Sequence, residues 1–263
     1  MAGSRCGAQM KKVLITGAVE GLGRALADQV LARGDFVLAV DHNRQGLHDL
    51  TQSHVGQCDS RLIDMADMGA VRLLGEGTDS NKYDLVILNA GISATGHFED
   101  IPVSAYERLI AINLRAPIIL ASSLVRTGKM ANGGKIVFVS SLSNAMGYPG
   151  ASVYAATKDG IATYAESVRK PFRRKGVGVL TVFPGPIRTA HAEKHAPPGA
   201  DASKRMAPQK LARMILKSAV RKDKALYPGF GAELASGFGK IAPNIATKIM
   251  RRVIFDKLNK PEY

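Results

Sequence analysis

A tyrosine and a lysine stand four residues apart in the stretch from Ser152 to Lys158, and Ser141 lies thirteen residues before the tyrosine, just after an apolar run. If the stretch is helical, the Tyr154 phenol and the Lys158 ammonium share one face about a turn apart, where the cation can stabilise a phenolate. A free tyrosine titrates near pH ~10, so a base that works near neutral pH needs a downward pKa shift of roughly 2 to 3 units. The spacing therefore predicts that Tyr154 transfers a proton.

The same spacing also fits an exposed pair of helix side chains, so its interpretation depends on the elements around it. Short apolar runs rich in β-branched residues alternate with amphipathic segments, which is typical of strands buried in a parallel sheet and joined by helices. The alternation predicts a single doubly wound, Rossmann-type α/β sheet with helices on both faces. The predicted strands are 12–16, 35–40, 61–63, 84–89, 135–140, 177–183 and a short strand within 224–229, and the predicted helices are 22–33, 67–77, 104–128, 152–175 and 208–221.

Length and composition favour one domain, because a chain of 263 residues with 46% hydrophobic residues can bury a full core. We expect residues 1–9 to be a short disordered leader and 10–263 to form a single dinucleotide-binding catalytic domain. The two cysteines, Cys6 and Cys58, form no C-x-x-C pair, and no apolar run has the length of a signal-peptide core or a membrane span. A cytoplasmic protein is the expectation.

A glycine-rich turn, Thr16-Gly-Ala-Val-Glu-Gly-Leu-Gly23, follows the first predicted strand and opens the first helix. Its three glycines let backbone amides approach a pyrophosphate at the positive end of the helix. The spacing is Gly17-x-x-x-Gly21-x-Gly23 and not G-x-G-x-x-G. An ordinary glycine-rich loop is the alternative, but the position between a strand and a helix favours phosphate binding.

An acid at the end of the second predicted strand bears on the choice of cofactor. Asp41 lies 24 residues after Gly17, close to the ~20-residue distance expected of an acid that binds the adenosine ribose hydroxyls. A 2′-phosphate there would face a like charge, and Glu20 inside the glycine turn acts in the same direction. Arg44 could instead bind such a phosphate, and Asp41 could merely hydrogen-bond its own turn. We expect NAD, with NADP as the alternative.

Taken together in their order along the chain, these residues resemble the short-chain dehydrogenase/reductase family over residues 12 to about 190. The resemblance rests on the T-G-x-x-x-G-x-G turn, on the Asn-Ala-Gly triplet that ends at Gly91 and on the Tyr154-x-x-x-Lys158 pair. It departs at Leu88, where the family often has a second asparagine, a position that we expect to be structural. The remaining matches are Asp64, Asn113 within Ile112-Asn-Leu114, Ser141, Pro184-Gly185 and Thr189.

The resemblance implies a role for each matching residue. Tyr154 is the general acid/base, Lys158 binds the nicotinamide ribose and lowers the tyrosine pKa, and Ser141 hydrogen-bonds the substrate oxygen. Asn113 positions a water that links Lys158 to solvent, and no metal is needed. The residues implied to bind the cofactor are Gly17, Gly21, Leu22, Gly23, Asp41, Asp64, Met65, Asn89, Ala90, Gly91, Tyr154, Lys158, Pro184, Gly185, Ile187 and Thr189, and those implied to bind substrate are Ser141, Ser143 and Tyr154.

The expected activity is hydride transfer between a nicotinamide cofactor and a small alcohol or carbonyl substrate, with Tyr154 as the proton carrier. An NADP-dependent carbonyl reductase is one alternative, and a nucleotide-binding redox sensor without turnover is another. The resemblance also implies a homodimer or homotetramer, often formed through the helices at 104–128 and 152–175.

The substrate pocket is predicted to include the 190–206 loop, with Lys194, Lys204 and Arg205 nearby, which admits an acidic or an apolar carbonyl compound. The two histidines of this loop have no metal-ligand spacing and are expected to lie at the surface. These histidines are His191 and His195, and the other residues expected to frame the pocket are Ser93, Ala94, Ser143, Met146, Tyr148 and Pro186.

The net charge of +14 is uneven, because residues 204–263 carry 14 Lys and Arg against four acids. Within the extension 230–263, apolar residues recur every fourth position from Ile241 to Val253 beside basic side chains, which predicts a basic amphipathic helix. Packing on the domain or on a partner subunit is expected, and peripheral membrane contact is the alternative. No helix-turn-helix or stacking aromatic pattern indicates nucleic-acid binding.

Overall fold

A computed structural model of the chain describes residues 11–77, 82–145, 148–195, 201, 203, 205–221, 223–229, 244, 245, 247, 248, 251, 255 and 261–263. Its strands are β1 (Lys12–Thr16), β2 (Phe36–Asp41), β3 (Cys58–Leu62), β4 (Tyr83–Leu88), β5 (Met130–Val139), β6 (Gly178–Val182) and β7 (Ala225–Leu226). Its helices are α1 (Gly21–Leu31), α2 (Arg44–Ser53), α3 (Met68–Glu76), α4 (Val103–Ile110), α5 (Ala116–Arg126), α6 (Ser152–Arg174), α7 (Ala190–Lys194) and α8 (Pro208–Val220).

The seven strands form one sheet in the order β3-β2-β1-β4-β5-β6-β7, and every neighbouring pair is parallel. The chain builds the sheet outward from β1 to β3, returns to the other side of β1 with β4, and continues from there in the opposite direction. Parallel neighbours need crossover connections, and here helices make them and cover both faces. The predicted doubly wound α/β fold is confirmed.

Apolar side chains fill both faces of the sheet. Within β1, Ile15 belongs to the core that packs against α1 and α8, whereas Leu14 belongs to the core on the α5 and α6 side, and both side chains are fully buried. A central strand buried on both sides needs apolar residues at consecutive positions, because successive side chains point to opposite faces. This explains the unbroken apolar runs of the central strands.

Some elements differ from the sequence-based expectation, and the differences lie where burial is slight. The helix α2 was not predicted, because only Leu47 and Leu50 of it are buried and its pattern is weak. The strand β3 begins at Cys58 rather than at 61, because an edge strand that is half exposed carries no apolar run. The predicted loop 190–206 contains α7 and a parallel bridge from Met206 to Ile187.

The long helical region predicted at 104–128 is a continuous stretch, Val103–Arg126, with a π-helical turn at Ala111–Arg115 between α4 and α5. Among the described residues it is the one stretch whose length and composition would allow it to cross a membrane. Its most apolar window is 56% buried inside the fold, as expected of a helix that packs on a sheet. We therefore assign it to the core.

Two predictions fall largely outside the described residues. The leader at 1–9 lies there entirely. So does most of the extension 230–263, and its basic amphipathic helix stays a prediction.

Strand register brings the predicted site residues to one edge of the sheet. Thr16 at the end of β1 pairs with Val40 of β2 on one side and with Leu88 of β4 on the other. The carboxyl ends of these three strands therefore lie side by side. The sheet order reverses between β1 and β4, which is where open α/β sheets bind ligands, beyond the carboxyl ends of the strands.

Candidate active site

The glycine turn after β1 is folded tightly against the start of α1. Gly17 and Gly21 have φ angles of 65° and 51°, in the left-handed region that favours glycine. A Cβ added to Gly23 would lie only 1.7 Å from the Gly17 carbonyl oxygen, so no side chain fits at that position. Backbone amides at the start of α1, including that of the buried Leu22, are therefore close to the surface that a phosphate would approach.

The residues after β4 hold this turn in place. The Asn89 side-chain amide donates to the carbonyl oxygens of Thr16 and Gly17, at 3.1 and 3.0 Å. The backbone amides of Asn89 and Ala90 both donate to the Thr16 hydroxyl oxygen, each at 3.1 Å. Thr16 is 1% exposed, so these hydrogen bonds are shielded from water. Asn89 and Ala90, implied to line the cofactor site, thus fix the conformation of the glycine turn.

The segment after β6 lies on the other side of the turn. Pro184 accepts a hydrogen bond from the Leu142 amide at 3.0 Å, which ties this segment to the segment after β5. Thr189 is in contact with the glycine turn, because a Cβ on Gly21 would lie 3.0 Å from the Thr189 Cγ2. The chain between them carries Gly185 and Ile187, and Ile187 packs on the core. Of these four residues, Thr189 contacts the glycine turn directly, and the other three connect it to the segment after β5 and to the core.

Asp41, at the end of β2, is 7% exposed and accepts three backbone hydrogen bonds. Its Oδ1 accepts from the amides of His42 and Asn43, at 2.8 and 3.1 Å, and its Oδ2 accepts from the Val19 amide at 3.2 Å. The alternative that Asp41 bonds its own turn is thus observed, and the same carboxylate also contacts the glycine turn. Glu20 lies nearby, since its Oε1 accepts from the Asn43 side chain at 3.3 Å.

Asp64 follows β3 and is partly exposed. Its Oδ1 accepts from the Ala66 amide and its Oδ2 from the Arg108 guanidinium, both at 2.9 Å. Partial burial acts to raise the pKa of Asp64, but these two hydrogen bonds and the arginine charge outweigh it and lower the pKa. The adjacent Met65 is buried in the core on the α5 side. Sequence reasoning missed Arg108, because nothing in the sequence links residues 44 apart that meet only after folding.

Tyr154 and Lys158 lie on one face of α6, as predicted. The Lys158 Nζ donates to the Val139 carbonyl oxygen at 3.0 Å and lies 5.8 Å from the centroid of the Tyr154 ring. The Ser141 hydroxyl hydrogen-bonds the Tyr154 phenol, and it also accepts from the Ser143 amide at 3.1 Å. Lys158 and Ser141 therefore both lie beside the Tyr154 side chain.

The electrostatics of this group differ from the expectation in one respect. Burial raises the pKa of Tyr154, and the hydrogen bond with Ser141 only partly opposes it. Burial also lowers the pKa of Lys158, from 10.5 to about 8. In the folded chain alone the pKa of Tyr154 is thus raised, opposite to the downward shift that a base working near neutral pH needs.

Asn113 lies in the π-helical turn and is 2% exposed. Its Oδ1 accepts from the Ile92 amide and its Nδ2 donates to the Ile92 carbonyl oxygen, both at 2.9 Å, while Nδ2 also donates to the Thr157 hydroxyl at 3.3 Å. Both hydrogens of the side-chain amide are thus used. A Cβ on Gly91 would lie 3.2 Å from the Asn113 Oδ1 and 3.3 Å from the Lys158 Nζ, so a larger residue would crowd the point where these two side chains converge.

The substrate side of the site is lined by an apolar cluster and a hydroxyl without a partner. Ala94 is buried together with Ile101 and Leu109, and the Tyr154 ring packs against them. The Ser143 hydroxyl is buried, and no described residue hydrogen-bonds to it. Burial raises the pKa of Tyr148, to which the nearby Tyr154 contributes. Ser93 is partly exposed and Pro186 is exposed, whereas Met146 and Lys204 lie outside the described residues.

The predicted histidines and basic residues of the 190–206 segment occupy different surroundings. His195 is not an isolated surface residue, because its Nδ1 lies 3.2 Å from the Thr95 hydroxyl. Arg205 is 8% exposed, whereas Lys194 is about half exposed. The described part of the chain contains no group of three His, Cys, Asp or Glu side chains that could hold a metal ion.

The sheet is doubly wound, and the glycine turn lies where the strand order reverses, at a surface that a phosphate can approach. Tyr154 and Lys158 lie at the same edge of the sheet. Together these features define a nucleotide-dependent oxidoreductase. The sequence profile of the short chain dehydrogenase family matches residues 11–198. The chain therefore belongs to the short-chain dehydrogenase family, and its chemistry is hydride transfer.

Relatives agree with this assignment, and a solved structure has the same fold. An uncharacterized short-chain type dehydrogenase/reductase of Sinorhizobium fredii is 35% identical over 183 residues, which span 67% of this chain but only 32% of that protein. The 2-(R)-hydroxypropyl-CoM dehydrogenase of Xanthobacter autotrophicus is 28% identical over 185 residues, or 67% of this chain and 74% of that protein. A solved short-chain dehydrogenase from Sphingobium yanoikuyae in complex with NADPH is 23% identical, with a TM-score of 0.74, and the match covers 90% of this chain and 96% of that chain.

Proposed function

We propose that the protein interconverts an alcohol and a ketone or aldehyde with NAD(H) as the hydride carrier and Tyr154 as the proton carrier. The observation that carries the proposal is that Tyr154 lies beside Ser141 and beside the buried Lys158, whose Nζ is close to Gly91, at the edge where the glycine turn also lies. No other described group combines a buried cation with a phenol at the expected ligand edge.

The residues of the chain fit a dinucleotide. Gly17, Gly21 and Gly23 leave room for a pyrophosphate over the start of α1, because a side chain on any of them would meet neighbouring atoms at 3.0 Å or less. Asp64 is available to the adenine, Thr189 to the carboxamide and Lys158 to the nicotinamide ribose. These assignments follow from the resemblance to the short-chain dehydrogenase/reductase family.

Preference for NAD over NADP is supported by two carboxylates at the adenosine end. Asp41 and Glu20 both lie at the glycine turn, and an added 2′-phosphate at about 4 Å from either would be repelled by roughly 4 kcal/mol at an effective dielectric of 20. The rival is NADP, which is favoured by the exposed Arg44 at the start of α2 and by the NADPH bound to the Sphingobium yanoikuyae relative.

The mechanism assigns the proton to Tyr154 and the hydride to the cofactor, which when bound would accept a hydride from the alcohol carbon. The Ser141 hydroxyl holds the substrate oxygen within reach of the phenol. The Tyr154 oxygen takes the alcohol proton in oxidation and returns it in reduction. Lys158 stabilises the phenolate electrostatically, and Asn113 keeps the backbone at Ile92 in place beside it.

Substrate binding is proposed at the apolar cluster around Ala94 and the unpartnered hydroxyl of Ser143. The relative from Xanthobacter autotrophicus is named for a secondary alcohol, which supports a secondary alcohol or ketone here. A panel of such compounds, followed by nicotinamide absorbance, tests the activity.

Tyr154→Phe should lower kcat by about 10²-fold or more, because it removes the acid/base, and cofactor affinity should change little. A variant that retains most of its rate would exclude Tyr154 from proton transfer.

Cofactor choice is tested by fluorescence titration with NADH and NADPH. We expect tighter NADH binding, and we expect Asp41→Asn to lower the NADH preference by about tenfold or more, because it removes one like charge. Asp41→Asn keeps an oxygen acceptor for the backbone amides, which makes it a better variant than Asp41→Ala. Equal or tighter NADPH binding by the unaltered protein would contradict the NAD proposal.

A cytoplasmic homo-oligomer is the proposed state of the protein. The exposed faces of α5 and α6 carry a hydrogen bond between Ser122 and Tyr164 at 2.7 Å, and these helices could pair with those of a second copy. Light scattering would give the molar mass of the protein in solution and therefore its oligomeric state.

Co-sedimentation with anionic vesicles would test the alternative that the 230–263 extension contacts membranes, and a chain ending near 231 is its control.

A further inference from the structure

Residues Pro261 to Tyr263 lie against the segment that follows β4. The Thr95 amide donates to the Glu262 carbonyl oxygen, and the Glu262 amide donates to the Thr95 carbonyl oxygen, both at 2.8 Å. The two residues thus form an isolated antiparallel bridge. Pro261 is so close to Gly96 that a Cβ added there would lie 2.9 Å from the Pro261 Cα. The contact is therefore backbone against backbone, with no room for a side chain between.

Glu262 and Tyr263 also contact the end of α7. The Lys194 Nζ donates to the Tyr263 carbonyl oxygen at 3.3 Å and lies 3.7 Å from a Glu262 carboxylate oxygen. The hydrogen bond between Thr95 and His195 joins α7 to the 92–96 segment directly. Residues 261–263 thus contact two segments that are about a hundred positions apart in the chain.

Each of these two segments continues into the proposed site. Ala94, beside Thr95, is buried against Tyr154, and the Gly96 amide donates to the Gly150 carbonyl oxygen in the turn before α6. On the other side, α7 begins directly after Thr189, which contacts the glycine turn. An outward movement of α7 from the 92–96 segment would therefore separate the segment that leads to Tyr154 from the segment that leads to the glycine turn.

A second contact of the extension lies close by. The Phe255 ring packs edge-on against His97, with ring centroids 4.6 Å apart, and Arg251 lies over the same ring at 6.0 Å from its centroid. The extension therefore contacts the segment after β4 on both sides of Gly96.

We propose that residues 261–263 fasten α7 to the 92–96 segment and thereby limit the size of the substrate that reaches Tyr154. The proposal deepens the alcohol and ketone activity proposed above and rests on it. The fastening depends on the backbone bridge at Thr95, because the ion pair between Lys194 and Glu262 joins side chains that are 53% and 42% exposed, and such pairs contribute little.

Two substitutions of one residue separate these contributions. Glu262→Pro removes the amide that donates to Thr95 and removes the carboxylate. Glu262→Ala, the matched control, removes the carboxylate and keeps both backbone hydrogen bonds. Residue 262 is partly exposed, so both variants should fold, and equal melting temperatures would show this.

Amide hydrogen exchange of the full chain tests the fastening itself. In Glu262→Pro the Thr95 carbonyl oxygen loses its donor, while the carbonyl at position 262 remains the acceptor of the Thr95 amide. Losing one of the two hydrogen bonds should make the bridge open more often, so the Thr95 amide should exchange about tenfold faster, the effect of losing roughly one net hydrogen bond. Faster exchange should also reach the amides of Ala192 and Glu193 in α7. Glu262→Ala should stay within about twofold of the unaltered protein. Equal exchange in the two variants would overturn the proposal.

Steady-state kinetics test the effect on substrate. The ratio of kcat/KM for a bulky ketone, such as benzophenone, to that for acetone should rise by about fivefold or more in Glu262→Pro, with the dissociation constant for NADH unchanged. An unchanged ratio alongside faster exchange would overturn the control of access. If no ketone or alcohol reacts even with the unaltered protein, the proposed function and the access role both fail, and the exchange result still decides the fastening.

Discussion

Lys158 should destabilise the folded protein near neutral pH when no cofactor is bound. Its side chain is 5% exposed, its Nζ has the Val139 carbonyl as partner, and burial lowers its pKa from 10.5 to about 8. We predict that Lys158→Met, which keeps a long flexible side chain and removes the charge, increases the free energy of unfolding at pH 7.

The size of the effect follows from the difference between the two pKa values. A lowered pKa means that the unfolded chain holds this proton more tightly, so the penalty is fully present below pH 8 and disappears above pH 10.5. A difference of this size corresponds to about 3 kcal/mol at pH 7 and to about 1 kcal/mol at pH 9.5. The lost hydrogen bond to Val139 opposes the gain by about 1 kcal/mol. Lys158→Met should therefore be more stable by about 2 kcal/mol at pH 7.

Urea denaturation at pH 7.0 and pH 9.5 measures both quantities on cofactor-free protein. In the unaltered protein the loss of the Lys158 proton should raise the free energy of unfolding by about 2 kcal/mol from pH 7.0 to pH 9.5. Lys158→Met should lack this rise. Other groups titrate equally in both proteins and cancel in the comparison. If the two proteins show the same change with pH, Lys158 does not carry a buried, destabilising charge, and the reasoning is refuted.

Two further substitutions test the construction of the glycine turn. Thr16→Val should lower the free energy of unfolding by about 2 to 4 kcal/mol in urea denaturation, because the two buried amides that follow β4 lose their acceptor, whereas Thr16→Ser should lose much less. Gly23→Ala should weaken NADH binding by about tenfold or more in a fluorescence titration, since its Cβ would lie 1.7 Å from the Gly17 carbonyl oxygen. Gly69→Ala is the control, because its Cβ would meet only the Asp67 side chain at 3.2 Å. Normal binding by Gly23→Ala, or equal stability of the two Thr16 variants, would contradict the packing described for the turn.

Most of the fold could be predicted from the sequence, because the central strands are buried on both faces and need unbroken apolar runs. The same principle explains where the prediction was incomplete. The helix α2 and the edge strand β3 bury few side chains, so the sequence there carries little apolar pattern. Local propensity alone does not fix the bounds of such elements.

For the site, the sequence determined which residues could do chemistry and their order along the chain. The spacing of Tyr154 and Lys158 places both on one face of α6, and the placement of the glycine turn follows from its position between a strand and a helix. These are properties of short segments, which backbone geometry relates directly to residue spacing. They also carry the resemblance that the family profile confirms.

Only the tertiary structure decided the partners of these residues and the charge that they carry. The pairing of Arg108 with Asp64 and the bridge between Thr95 and Glu262 join residues far apart in the chain. The pKa of Tyr154 is raised because folding removes water from the phenol, and the sequence gives no measure of that removal. Spacing determines which side chains share a face, whereas burial and long-range contacts determine their protonation, because both exist only when distant segments meet.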